Sequence, residues 1–119
     1  MIYRFGITTE YTYKEINKKT TVLKLGEGII HQIDIVFPAG LAGTTHMQIT
    51  RGLHQVWPTN PDEDFAGDND KISFHEHYEL DEEPYQLEVH TWNTSTEHDH
   101  LIIVRIGLLR KKFVLRRLF

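Results

Sequence analysis

The chain of 119 residues has no cysteine. Disulfides and thiolate metal sites are therefore excluded, and the redox compartment is left open. No run of apolar residues approaches eighteen, so no stretch is suited to a transmembrane helix. The first residues, MIYRFGITTEYTYKE, lack the apolar core of a signal peptide, which argues against export. Only two serines occur, Ser73 and Ser95, and neither lies in a G-x-S-x-G turn, so the usual signature of a serine hydrolase is missing. A sustained 3.6-residue apolar period is also absent, which leaves little room for amphipathic helices.

Charge of one sign is missing in two places. Between Asp62 and Glu83 there are ten Asp or Glu and one Lys. The last ten residues, RKKFVLRRLF, carry five Lys or Arg and no acid. An acidic flank and a basic tail are complementary surfaces, suited to contact between copies or with a partner. Before Arg110 the chain holds 8 basic and 17 acidic residues, an excess of negative charge that repels nucleic acid. Docking of the tail on an acidic protein surface, that of a capsid protein or a second copy, is the favoured reading over nucleic acid or a membrane.

What the chain has in plenty is alternation. In GIIHQIDIVFP, Ile29, His31, Ile33, Ile35 and Phe37 share one parity. In DKISFHEHYEL, Ile72, Phe74, Tyr78 and Leu80 alternate with Lys71, Ser73, His75, His77 and Glu79. YQLEVHTWN and HLIIVRIGLL repeat the pattern, and residues 20–25 and 45–52 read as further strands. A period of two marks strands with one face on a core. Gly and Pro turns punctuate them at Gly26-Glu27-Gly28, Pro38-Ala39-Gly40, Pro58-Thr59-Asn60-Pro61 and Glu83-Pro84. One domain of this size with this spacing predicts an all-β antiparallel sandwich, jelly-roll-like, over residues 20–109. Residues 1–19 fit the pattern poorly and read as an N-terminal arm or edge strand. Residues 53–69 read as a long irregular loop pinned by Trp57, Pro58 and Phe65. Residues 110–119 form the basic C-terminal tail.

The histidines invite a metal reading. His75 and His77 stand two apart on one strand and so share a face, and His90 with Glu79 or Glu82 would complete a shell. The run resembles part of the cupin motif, H-x-H followed by an acid, here Glu82. It departs from that motif at Asn69 and Val89, where glycines are expected, and His75 and His77 fall on the polar side of their strand. A solvated or subunit-facing strand is the preferred reading. His98-x-His100 is a weaker chelate. His31 reads as a core or interface histidine, and His46 and His54 lack nearby acids in the sequence. DFAGDND lacks the spacing of a calcium loop and reads as a turn.

The segments FPAGLAGTTHMQITRGLHQVWPTN, ISFHEHYELDEEPYQLEVHTWN and HLIIVRIGLL resemble the small β-sandwich virion proteins of tailed bacteriophages and related viruses, the decoration, cement and adaptor types. The resemblance covers residues 28–109 in pattern and turn chemistry. It implies a structural protein on the surface of a virion, made in the host cytoplasm, that acts as a homo-oligomer, a trimer being favoured. It implies neither catalytic residues nor a cofactor. The expected contact residues are Arg110, Lys111, Lys112, Phe113, Arg116, Arg117 and Phe119 of the tail, with Trp57 and Phe65 of the long loop. Trp92 is a further candidate. Two alternatives stand beside this reading. One is a carbohydrate-binding module that stacks an exposed Trp57 or Trp92 on a sugar ring; the other is a cupin-like enzyme using His75, His77, Glu82 and His90.

Overall fold

The computed structural model describes residues 1–110. Its nine strands are β1 (Ile2–Thr9), β2 (Lys19–Lys24), β3 (Gly28–Phe37), β4 (Thr45–Arg51), β5 (His54–Trp57), β6 (Phe65–Ala66), β7 (Asp70–Leu80), β8 (Gln86–Asn93) and β9 (His100–Leu109). A single 3-10 turn, Glu15–Asn17, precedes β2. β1 pairs with β9, β2 with β8, β3 with β7 and β4 with β5, all antiparallel. The chain is thus one long hairpin of four strand pairs. Rolling it up adds the pairs β3·β9 and β4·β8. The result is two sheets, β1-β9-β3-β7 and β2-β8-β4-β5, with the short β6 on β4. An antiparallel sandwich is the form the alternation predicts, and the strand order, which alternation does not fix, is that of a jelly roll.

The core lies between the sheets. Ile33, Ile35, Phe37, Ile102, Val104, Ile106 and Leu108 face Leu23, Met47, Ile49, Leu87 and Val89. Branched side chains at alternate positions fill a pleated surface well, and each one fully buried contributes about 1.5–3 kcal/mol. The first residues are part of this sandwich. Tyr3, Phe5, Ile7 and Thr9 point inward from β1, and all eight residues of the strand pair with β9. Of arm and edge strand, the chain forms the edge strand. The stretch expected to be irregular, residues 53–69, contains β5 and β6.

A bulge resolves the odd pattern of β3. β9 alternates without interruption. β3 inserts one residue, His31, between the pairs Ile30↔Leu108 and Gln32↔Gly107. β7 inserts two, Glu76 and His77, opposite that same His31. One inserted residue flips the parity of a strand and two restore it. Ile30 therefore reaches the core along with Ile33, Ile35 and Phe37. His31 does not sit in the core face, contrary to its parity in the sequence. Its ring lies over Gly107, where an added Cβ would come within 2.9 Å of Nε2.

Candidate functional site

The outer face of the β2-β8-β4-β5 sheet carries a polar cleft of about 280 Å³ lined by Glu15, Lys18, Gln48, Gln55, Asp62, Asp64 and Trp92. Three segments build it. On one side the 3-10 turn is stapled to the end of β8, since Lys14 Nζ donates to the carbonyls of Asn93 (3.0 Å) and Ser95 (2.8 Å). The Lys14 amide donates to Asn17 Oδ1 at 2.9 Å and caps the turn. These bonds bring Glu15 and Lys18 to the cleft. The sheet forms the floor, where Trp92 of β8 pairs across the strands with His46 of β4. Their rings stack at 5.3 Å, and Lys18 Nζ stands 4.6 Å from the Trp92 centroid, a cation–π contact.

The loop after β5 forms the other side, and sheet side chains hold it. Gln55 Nε2 donates to the carbonyls of Pro58 (2.8 Å), Asn60 (3.2 Å) and Glu63 (3.2 Å). Gln48 Nε2 donates to the Glu63 carbonyl at 2.9 Å, while Lys18 Nζ donates to Gln48 Oε1 at 3.3 Å. His46 Nδ1 meets Asp64 Oδ1 at 2.7 Å. No sequence signal announces that pair, because its members are 18 residues apart and only the fold of the loop joins them. Among the described residues, the carboxylates of Glu15 and Asp62 have no partner. Three carboxylates and a single ammonium thus line the cleft, which has an excess of negative charge.

Beside it His90 bridges two hydroxyls, Thr20 Oγ1 at 3.0 Å from Nδ1 and Thr50 Oγ1 at 2.9 Å from Nε2. A neutral imidazole has one donor and one acceptor, and both are used here. Burial, with the Lys18 ammonium second, holds its pKa below the ordinary value, and Glu88 partly opposes this. Between that lowered native value and about 6.5, the unfolded chain binds more protons than the folded one. Stability should therefore fall as the pH drops through this window. The urea midpoint of the protein is expected to decrease from pH 7 to pH 5, and His90→Gln to shrink that decrease. Equal pH slopes in the two proteins would refute the role given to His90.

The metal alternative is not assembled. His75 and His77 are exposed on β7 of one sheet, whereas His90 is on β8 of the other. Among the described residues no three His, Asp or Glu side chains are grouped to hold a metal ion. His98 and His100 have ring centroids 6.4 Å apart. Ser73 donates its hydroxyl to Asp34, which holds that carboxyl below its ordinary range, aided by Gln32, Lys71 and Arg105 and opposed by burial. In DFAGDND, Asp68 Oδ1 accepts from the Gly40 amide at 2.9 Å, which fits a turn.

Both tryptophans are buried, Trp57 at 4% exposure and Trp92 at 3%. Trp57 packs edge-on against Phe74 and Tyr78, and Phe65 packs against Phe74. The structure therefore turns Trp57 and Phe65 inward, where outward contact residues were expected. It also leaves neither indole a free face to stack on a sugar. Arg110 is exposed, near Met1 Sδ at 3.6 Å. Lys111, Lys112, Phe113, Arg116, Arg117 and Phe119 lie outside the described residues.

Charge is divided between the two sides of the sandwich. The contacts of Trp57 place β5 against β7, and the acidic run from Asp62 to Glu83 follows that side. At the opposite side β1 adjoins β2, and Lys19 Nζ donates to the Thr8 carbonyl at 2.5 Å and pairs with Glu10 at 3.3 Å. Residues 1–24 there hold five Lys or Arg against two Glu.

No family model matches the chain, and no curated protein matches it by sequence. The crystal structure of the Yersinia pseudotuberculosis-derived mitogen is similar, with a TM-score of 0.50 and 10% sequence identity. The match covers 92% of this chain and 86% of that one. At that identity the likeness shows the fold alone. The class defined by strand order and fold is an antiparallel β-sandwich. No helix among the described residues is long and apolar enough to cross a membrane.

Proposed function

We propose that the protein is a virion structural component, a β-sandwich that decorates or cements a viral shell as a homo-oligomer and performs no catalysis. The observation that carries this reading is the division of charge, with an acidic β5/β7 side, a net positive β1/β2 side and a strongly basic C-terminal segment. Surfaces of opposite sign on one molecule favour a heterologous contact, which closes into a ring when the rotation allows. The same surfaces steer encounter with a charged shell. Jelly-roll sandwiches serve as capsid and lectin domains among other roles, so the fold is compatible with the reading without selecting it.

The test is native mass spectrometry and sedimentation of the full chain at low and high salt, with co-sedimentation on viral shells. An oligomer of fixed number, a trimer being favoured, is expected at low salt. It should weaken in 1 M salt, where screening acts within roughly 3 Å. A monomer at all concentrations, with no shell binding, would overturn the reading.

A further inference from the structure

We propose that β1 is a docking edge for β1 of a second copy of this chain, the two pairing antiparallel about Phe5 into one continuous sheet. The contact is separate from the charge-driven one above and does not depend on it.

The free side of β1 follows from its register. The Met1 amino group donates to the Leu108 carbonyl at 2.9 Å, and the Leu108 amide to the Met1 carbonyl at 2.7 Å. Pairing with β9 is unbroken from there, and such doubly bonded pairs recur at every second residue. Tyr3, Phe5, Ile7 and Thr9 therefore turn their backbone groups to β9. Ile2, Arg4, Gly6 and Thr8 turn theirs outward. Lys19 marks the same phase, because its ammonium reaches the Thr8 carbonyl from the outer side. Among the described residues no other group meets this row of amides and carbonyls.

The other edges are guarded. β5 has four residues, β2 begins and ends with Lys, and β7 carries the bulge at Glu76 and His77. Shortness, lysines and bulges all discourage pairing at an edge. β1 has eight residues and no bulge, Lys, Pro or acid. Apolar side chains also gather around it. Of the large ones exposed among the described residues, all but Leu53 belong to residues 1–24 or to β9 beside β1. Such a grouping marks a contact surface.

Charge and symmetry choose the occupant. Only Ile2, Arg4, Gly6 and Thr8 exchange bonds across this edge, so registers differ by steps of two residues. Centred on Phe5, Ile2 stands opposite Thr8 of the second copy and Arg4 opposite its Gly6. The Thr8 carbonyl keeps a second lone pair for the incoming amide. The Arg4 stem covers a bare glycine, and the two Phe5 rings meet at the two-fold axis. Phe5 is half-buried in one copy, stacked on Tyr3 at 6.2 Å, and an aromatic pair buries more of it. Centred on Arg4, two guanidinium groups would oppose each other, which destabilises a ladder. Centred on Gly6, the overlap shortens to residues 4–8. The chain's own C-terminal segment would bring Lys111, Lys112, Arg116 and Arg117 beside Arg4 and Lys19. A second β1 brings one base, set against a glycine, and the contact is isologous.

The test is hydrogen exchange of the β1 amides in the full chain, read by NMR over a range of protein concentrations. Amides at positions 4, 6 and 8 should gain protection as concentration rises, and keep it in about 1 M salt, where charge-driven contacts are screened. Gly6→Lys sets like charges opposite each other at two symmetric places and should raise the concentration required roughly tenfold. The single chain accommodates it, since a Cβ at Gly6 meets Leu101 Cδ1 at an ordinary 3.5 Å, and circular dichroism checks the fold. Adding Arg4→Glu to Gly6→Lys should restore the parent's behaviour, and Gly6→Ala should leave it unchanged. Protection that does not depend on concentration would assign the edge to the chain's own C-terminal segment and overturn the proposal. Amides unprotected at every concentration would overturn it as well. So would a folded Gly6→Lys, Arg4→Glu variant no stronger than Gly6→Lys, because the register would then be another. The charge-driven assembly is judged apart from these results, by its loss in high salt.

Discussion

Trp57→Ala should lower the stability of the protein by about 3–5 kcal/mol, the usual cost of removing a large buried aromatic. That is a large part of the roughly 5–15 kcal/mol that holds a domain together. The ring is 4% exposed and closes the β5/β7 side of the core, with Phe74 and Tyr78 centroids 5.9 Å and 5.5 Å away. Its removal leaves a cavity between two edge strands and strips two aromatic edges of their partner, contacts worth about 0.5–1.5 kcal/mol each beyond burial. Trp57→Phe keeps most of the volume and should cost less than half as much. Leu53→Ala, at a fully exposed tip, should stay within about 0.5 kcal/mol. Urea unfolding of the three variants decides the matter. If Trp57→Ala retained its stability and lost only assembly, the ring would belong to an interface and its inward placement would be wrong.

Gly28→Ala should be the next most damaging change, at about 1–3 kcal/mol. Gly28 opens β3 opposite Leu80. A Cβ there would sit 2.4 Å from the Leu109 carbonyl oxygen and 3.1 Å from Leu108 Cγ. Backbone in a paired strand cannot step aside, so β3 and β9 would have to part where their ladder begins. Gly107 makes the control. Its added Cβ would come within 2.9 Å of the His31 imidazole, which can rotate away, and would meet Gln32 Cβ at an ordinary contact distance of 3.4 Å. Gly107→Ala should cost under about 1 kcal/mol. Equal urea midpoints for the two variants would show that the approach at Gly28 is not a constraint.

Much of the architecture was legible along the chain. In β7, β8 and β9 the inward set is the one that alternation names, because a half-buried strand has to repeat every second residue. β1 was less legible. Gly6 and the threonines dilute its apolar positions, and the burial of Tyr3, Phe5 and Ile7 depends on β9 lying beside them. In β3 the alternation misplaced His31. A bulge is a relation between strands, and one strand's sequence does not record how many residues its partners insert.

The site divides along the same line. The sequence by itself determined the sandwich class, the absence of thiolate chemistry, the split of charge and the exposure of His75 and His77, since composition and period two are local properties. Only the tertiary structure decided that Trp57 closes the core, that His90 and His75 belong to different sheets, and that Glu15, Asp62 and Asp64 share one cleft with Trp92. The cleft alone joins Glu15 to Asp62 across 47 residues of chain. Rolling a long hairpin joins such distant positions through strand register and loop anchoring, which no local pattern encodes.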